Sequence, residues 1–196
     1  MSTNHRKEGA TPFFIACAND QKEVVSLLLT DTRIDFNKSN KNGATPFNSA
    51  CSYGHPEVVS LLLADLRIDI NKPARNQCTP LWIASQNGRL PVVQLILSSG
   101  REIDTKTKSI AGTAGWNNKT AAEIARYQGT RGKIEGESDE YYNRKKQNGP
   151  LIATLIDSYE QNPQQVRTQL RKQLGLKGMP FSLDSFLVMI LLLTPF

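Results

Sequence analysis

One segment of this chain is repeated almost unchanged at a fixed distance of 34 residues. Gly9-Ala-Thr-Pro-Phe13 recurs as Gly43-Ala-Thr-Pro-Phe47, and a third Thr-Pro pair stands at Thr79-Pro80. An apolar run of the type Val-Val-x-Leu-Leu-Leu follows each copy, beginning at Val24, Val58 and Val92. Self-similarity with a period of roughly 20–50 residues is typical of stacked repeat proteins. The period therefore favours an extended binding surface over an enclosed reaction pocket.

Each repeat predicts a helix, a turn, a second helix and a hairpin. Threonine followed by proline favours a helix start, because the threonine side chain can accept a hydrogen bond from a free amide and proline lacks the next one. The first helix should end near Asn19-Asp20, Tyr53-Gly54 or Asn87-Gly88, where a left-handed residue is tolerated. The apolar run of the second helix needs cover on two sides from neighbouring repeats. The polar stretch that ends in Asn42-Gly43 reads as a hairpin tip.

The joint pattern resembles the ankyrin repeat. Thr-Pro-Leu-x-x-Ala, an apolar second helix, Asp-x-Asn and Asn-Gly follow in that order, and Gly54-His55-Pro56-Glu57-Val58-Val59 is intact in the second copy. The spacing is one residue longer than the family's usual 33 or so. The resemblance implies an all-α helix-turn-helix solenoid with short β-hairpin tips. The family's histidine after Thr-Pro-Leu is replaced by Phe14, Asn48 and Trp82, so we expect its helix-linking hydrogen bond to be lost.

A fourth, interrupted repeat follows the three regular ones. The predicted array covers residues 1–160, with regular repeats at 9–42, 43–76 and 77–110 and the interrupted repeat at 111–160. Thr120-Ala-Ala-Glu-Ile-Ala125 resembles the start of the third repeat after a loop rich in Gly, Ser and Thr at 106–115. Thr120 and Glu123 match a capping box, which replaces the missing proline. The polar segment 129–148 reads as a largely flexible insertion, with the second helix resuming at Asn148-Gly149.

Residues 161–196 are predicted to form a C-terminal helical cap. Val166, Leu170 and Leu174 are spaced as one face of an amphipathic helix. The tail 183–196 contains eight consecutive apolar residues, too few for a membrane span of about 20. This tail either covers the open end of the last repeat or docks onto a partner or a further domain. Since Met1 begins partway through a hairpin, we expect either a first repeat without a polar N-terminal cap or a piece of a longer array.

The sequence offers no pattern for catalysis, a metal or a cofactor. Its two histidines, His5 and His55, lack metal-ligand spacing, and no phosphate loop or nucleophile motif is present. Four basic residues and no acid lie at 164–177, which leaves little of the net charge of +6 elsewhere and argues against nucleic acid as a partner. Cys17 and Cys51 occupy equivalent repeat positions and should be reduced core thiols. With no signal peptide, this favours the cytoplasm or nucleus.

The resemblance implies a non-catalytic adaptor or scaffold that binds a protein partner and no small-molecule substrate. Hairpin tips and first helices line a concave face in that family. The resemblance carries partner binding onto Lys41, Asn42, Tyr53, Arg75, Asn76, Gln86, Asn87, Trp116 and Tyr127, and the same face extends to Lys7, Glu8, Asn19, Ser52, Asn117 and Gln128.

Tyrosine and tryptophan often dominate binding energy, so Tyr53, Trp116 and Tyr127 stand out on this face. The alternative for any one of them is a solvated or partly packed surface residue. An alternative function is that of a regulatory or targeting fragment of a larger assembly, docked through the basic helix 164–177 and the apolar tail. That helix could contact an anionic membrane or nucleic acid, or simply face solvent.

Overall fold

The computed structural model describes residues 9–110 and 116–176 of the 196-residue chain. Its described part contains helices and turns and no strand. The helices are α1 Pro12–Ala18, α2 Lys22–Leu29, α3 Pro46–Tyr53, α4 Pro56–Ala64, α5 Pro80–Gln86, α6 Leu90–Ser98, α7 Ala121–Thr130, α8 Asp139–Gln161 and α9 Pro163–Gln173. The predicted all-α solenoid is confirmed. The apolar tail 183–196 lies outside the described residues.

The first helix of each repeat begins as the sequence predicts. The side chains of Thr11, Thr45, Thr79 and Thr120 each accept a hydrogen bond from the amide three residues on. Proline occupies the next position in the first three repeats, and Glu123 completes the capping box in the fourth. The turns that end these helices place Asp20, Gly54 and Gly88 at φ of 57°, 80° and 65°, the left-handed conformation expected there.

The repeats stack in two layers. The inner layer runs α1, α3, α5, α7, and the outer layer begins α2, α4, α6, each helix packing against the next of its layer. One continuous apolar core fills the space between the layers, from Phe13 to Ile156. Cys17 and Cys51 lie in it with no exposed surface and are free thiols, as predicted. Burial raises the pKa of Cys17 to about 12.

Asparagine side chains tie each repeat to the next. The Asn37 amide donates to the carbonyl oxygen of Arg67 at 2.7 Å and accepts from the backbone amide of Asp69 at 2.8 Å. Asn71 makes the same pair one repeat later, with Glu102 at 2.9 Å and Asp104 at 3.0 Å. These bonds satisfy backbone groups that no strand partner would otherwise engage.

The hairpin tips are turns, each closed by backbone hydrogen bonds. Asn40 donates to the Ala44 carbonyl at 2.9 Å, and Ala74 donates to the Cys78 carbonyl at 3.1 Å. The segments beside these turns are too short to add a ladder, so the expected β-hairpins are not seen in residues 9–110 and 116–176. In the third tip Ser109 donates to Lys119 at 3.1 Å across the inserted loop.

Two of the three residues that replace the family histidine retain a hydrogen bond to a neighbouring segment. Asn48 donates to the Lys72 carbonyl at 3.3 Å, and the Trp82 indole donates to the Lys119 carbonyl at 2.9 Å. Both acceptors lie between helices, so the expected loss of the family's helix-linking bond stays a prediction. Phe14 is a buried apolar residue at this position.

The fourth repeat differs from the prediction in its second helix. Residues 139–148, predicted as part of a flexible insertion, are the first turns of α8, which continues through Gly149 and Pro150 to Gln161. Gly149 allows this because a Cβ there would stand 2.4 Å from the carbonyl oxygen of Ala125. Only glycine lets α8 cross α7 so closely.

Candidate functional site

A groove runs along the side of the array that carries the hairpin tips and the inner helices. Its volume is about 510 Å³. It is lined by Phe14, Ala18, Asn40, Asn42, Ala44, Asn48, Ser49, Ser52, Tyr53, Ala74, Arg75, Asn76, Cys78, Trp82, Ile83, Gln86, Asn87, Trp116 and Tyr141. All four repeats thus contribute to one concave surface, the fourth through Trp116 and Tyr141.

Most of the predicted binding positions meet in this groove. Seven of the nine line it: Asn42, Tyr53, Arg75, Asn76, Gln86, Asn87 and Trp116. Ser52 lines it too, whereas Lys41, Tyr127, Asn19, Asn117 and Gln128 are not among its walls. Lys7 and Glu8 lie outside the described residues. The groove brings the predicted set together because tips and inner helices recur in fixed register.

Some polar groups of the groove are already used within the protein. Asn48 caps its own helix, because its side-chain oxygen accepts a hydrogen bond from the backbone amide of Thr45 at 2.8 Å. Asn87 reaches back to the Ser52 carbonyl at 3.4 Å and accepts the Tyr141 hydroxyl at 2.6 Å. The Trp82 indole is bonded to Lys119 as described above. These groups shape the walls and are not available to a ligand.

Other polar groups of the groove have no partner in the described part of the chain. No hydrogen bond or ion pair there engages the guanidinium of Arg75, the side-chain amides of Asn76 and Gln86, the Tyr53 hydroxyl or the Trp116 indole N–H. The Tyr53 ring stacks on His55 with ring centres 6.0 Å apart, which fixes the ring and leaves its hydroxyl at the groove. The groove therefore combines aromatic surface with unused hydrogen-bonding groups.

The position of Arg75 depends on the glycine of the preceding tip. Gly43 has φ of 73°, and a Cβ added there would stand 2.8 Å from the Arg75 Cγ and 3.0 Å from its backbone nitrogen. The aliphatic stem of Arg75 thus lies directly on the Gly43 backbone. Lys41 lies on Gly9 in the same way, with its Cγ 3.2 Å from the added atom.

Comparison with known protein families gives the same architecture. The family model for ankyrin repeats, in three copies, matches residues 1–74 and 34–107, which together cover more than half of the chain. This chain belongs to the ankyrin repeat family. Ankyrin repeats are generally protein–protein interaction modules, and the family is typically non-catalytic. No curated protein matches the chain.

The interrupted ankyrin repeat closes one end of the groove. Tyr141, on the N-terminal half of α8, is a groove wall and donates to Asn87. Arg144 donates to the Asn87 carbonyl at 3.2 Å, and Asn148 donates to the Gly88 carbonyl at 2.9 Å. Sequence reasoning missed Tyr141 because it lay in the predicted insertion. The available signal was Ser138, which caps α8 ahead of two acidic residues in its first turn.

A buried charge cluster holds this end wall in place. Glu137 lies 2.6 Å from both Arg131 and Lys145, and all three side chains are at most 7% exposed. Burial alone would raise the pKa of Glu137, but the hydrogen bonds from Arg131 and Lys145 outweigh it and lower the pKa to about 2. The carboxylate is therefore ionised at neutral pH and joins the loop after α7 to α8.

Tyr127 and Gln128 of the ankyrin fourth repeat are engaged away from the groove. Lys119 lies over the Tyr127 ring at 5.6 Å, and the buried Gln128 accepts from Arg131. Gln128 also has one side-chain nitrogen without a partner in the part of the chain that the structure describes. In this repeat the groove is lined by Trp116 and Tyr141 rather than by the predicted Tyr127.

Two of the basic residues of α9 are hydrogen-bonded to the ankyrin array. Helix α9 lies against α6 and α8, confirming the predicted helix. Arg167 donates to the Arg101 carbonyl at 2.8 Å and to the Tyr159 hydroxyl at 2.6 Å, and Arg171 donates to the Ser98 carbonyl at 3.4 Å. In the described ranges no helix is both long enough and apolar enough to cross a bilayer, and no three His, Cys, Asp or Glu side chains gather as metal ligands.

Proposed function

We propose that the chain is a non-catalytic adaptor or scaffold that binds a segment of a protein partner in the groove. The observation that carries this is the set of unengaged polar groups beside Tyr53 and Trp116 in one concave surface. Unused hydrogen-bonding groups next to partly exposed aromatic rings are what a recognition surface offers a partner. We further propose a location in the cytoplasm or nucleus, which the buried, free cysteines support because such thiols fit a reducing compartment.

The alternative, docking of a regulatory fragment through the C-terminal helices, has weaker support. Arg167 and Arg171 donate to backbone carbonyls of the array. They act as ties between α9 and α6, and fewer cations remain on α9 for an anionic surface.

Affinity capture with groove variants tests the proposal. Tyr53→Ala combined with Gln86→Ala removes one aromatic ring and one free amide from the groove, and neither side chain is fully buried. We expect this protein to lose partners captured by the wild type, identified by mass spectrometry, while its melting temperature changes by only about 2 °C. Tyr127→Ala is the matched control, because it removes a ring outside the groove. Equal loss of partners from both variants, or from neither, would contradict the proposal.

A further inference from the structure

The described walls of the groove carry positive charge and no negative charge. Among the described residues that line it, Arg75 is the sole ionised side chain, and none is a carboxylate. Its remaining walls are amides, hydroxyls, small residues and aromatic rings. A groove of this kind has no carboxylate in its described walls to repel an anion and offers one exposed cation, so it can discriminate by the sign of a single charge on the partner.

We propose that the groove binds an extended peptide segment that carries an acidic side chain placed opposite Arg75; this inference rests on the proposed function. The Arg75 stem is held against Gly43, so part of its conformational freedom is already lost before binding. Its guanidinium has no partner among residues 9–110 and 116–176. A planar fork of N–H donors fits a carboxylate in a bidentate manner.

The extended conformation follows from the other unengaged groups. The Trp116 indole only donates, and the amides of Asn76 and Gln86 both donate and accept. An extended peptide has free backbone carbonyls and amides to pair with them, whereas a helix has already used its own. Docking a helix would leave these groove groups buried without partners, at a cost for each.

A nucleic acid is a poorer fit for the same surface. Its affinity comes from several phosphates neutralised by several cations, and the groove has only Arg75 within its described walls. The basic side chains of Arg167 and Arg171 are bonded to the array and lie on α9, which packs on the outer helix α6. A peptide with one or two carboxylates matches this charge count.

Selection from random peptides tests the inference directly, because it requires no identified partner. The full chain is used to select from a library of short random peptides, and an enriched peptide is compared with a copy in which Asp and Glu are replaced by Asn and Gln. Fluorescence anisotropy of each peptide gives the affinity at low and moderate salt. We expect the acidic peptide to bind about tenfold more tightly than its amide copy, with a difference that shrinks as salt rises.

Two charge-reversal variants distinguish the effect of Arg75 on binding from the effect of the protein's overall charge. Arg75→Glu should lower the affinity for the acidic peptide by more than about tenfold and change the affinity for its amide copy by no more than about twofold. Arg33→Glu is the matched control: it makes the same charge change at a residue that is 88% exposed and outside the groove. We expect it to change either affinity by less than about twofold, because exposed charges contribute little at a distance.

The possible results distinguish the inference from the function on which it rests. Neutral or basic enriched peptides that still require Tyr53 and Gln86 would overturn the acidic preference and leave the binding function intact. A single-stranded oligonucleotide that binds more tightly than any peptide, and requires Arg75, would overturn the peptide assignment. Enrichment that no groove variant reduces would reject the inference and the proposed function together.

Discussion

A single methyl group at Gly149 should push apart the two helices of the fourth repeat. Gly149 lies inside α8 at its crossing with α7. A Cβ there would stand 2.4 Å from the carbonyl oxygen of Ala125 and 2.9 Å from the backbone nitrogen of Gly129. Both neighbours are backbone atoms, which cannot swing aside as a side chain would. Gly149→Ala therefore requires α7 and α8 to separate by about 1 Å to restore ordinary contact.

The cost of that separation exceeds the intrinsic benefit of alanine in a helix. Replacing glycine by alanine within a helix favours folding by about 1 kcal/mol. Against this, a gap of about 1 Å removes a quarter to a half of the dispersion energy between Ile124, Ile152 and their neighbours. Overpacking costs about 1–3 kcal/mol, and backbone contacts belong at the upper end. We expect a net loss of about 2 kcal/mol, or about 4–8 °C in Tm for a domain of this size.

Thermal and urea unfolding of both alanine variants measures the effect. Gly132→Ala is the matched control, because an added Cβ there meets no atom within 4 Å and φ is not positive; we expect no loss of stability and a gain of up to about 1 kcal/mol. Far-UV circular dichroism follows the whole array, while the combined fluorescence of Trp82 and Trp116 reports on the region just before α7, because the end unit of a repeat protein can unfold first. If Gly149→Ala is as stable as the wild type, the close crossing of α7 and α8 is refuted.

Three further substitutions test the stacking and the charge cluster. Asn71→Asp removes the donor to the next repeat and should lower the free energy of unfolding by about 1–2 kcal/mol in urea titrations, whereas Asn117→Asp, at an exposed position, should change it by less than about 0.5 kcal/mol. Because the pKa of Glu137 is lowered in the folded state, its contribution to the free energy of unfolding is present above about pH 4.5 and is lost as the pH falls towards 2. Glu137→Gln should therefore flatten the fall in Tm over that pH range. Equal slopes of Tm against pH for this variant and the wild type would contradict the prediction. Leu61→Ala, 5% exposed, should cost about 3 kcal/mol, while Leu27→Ala, at the same repeat position but 69% exposed, should cost less than about 0.5 kcal/mol in the same titration.

The three regular repeats could be predicted from sequence because their signals are local. Thr11, Thr45 and Thr79 cap helices within three residues of themselves, and each apolar run needs only the adjacent repeats for cover. Once the period is known, the positions of tips and inner helices follow. Seven of nine candidate residues therefore meet in the groove.

The fourth repeat could not be predicted in the same way, because its helix boundaries depend on tertiary contact. Gly149-Pro150 resembles a helix start, as Asn87-Gly88 precedes α6, yet α8 continues through it. The glycine permits contact with Ala125, and the Pro150 ring lies against Gly129, where a Cβ would be 2.7 Å from the proline Cδ. The polar residues 139–148 also lack an apolar period, because Lys145 is buried through its ion pair with Glu137. Consequently Tyr141 was missed, and Tyr127 was assigned to a face that does not extend to it.

The departure from the repeat pattern defines where the groove ends. Helix α8 has 23 residues, whereas the outer helices α2, α4 and α6 have 8, 9 and 9. Its additional turns lie over Asn87 and Gly88 and place Tyr141 across the end of the groove. A partner bound in the groove, as proposed, would therefore meet its end at Tyr141. The Glu137 cluster, which holds the wall, would then limit the length of the proposed bound segment although none of its members lines the groove.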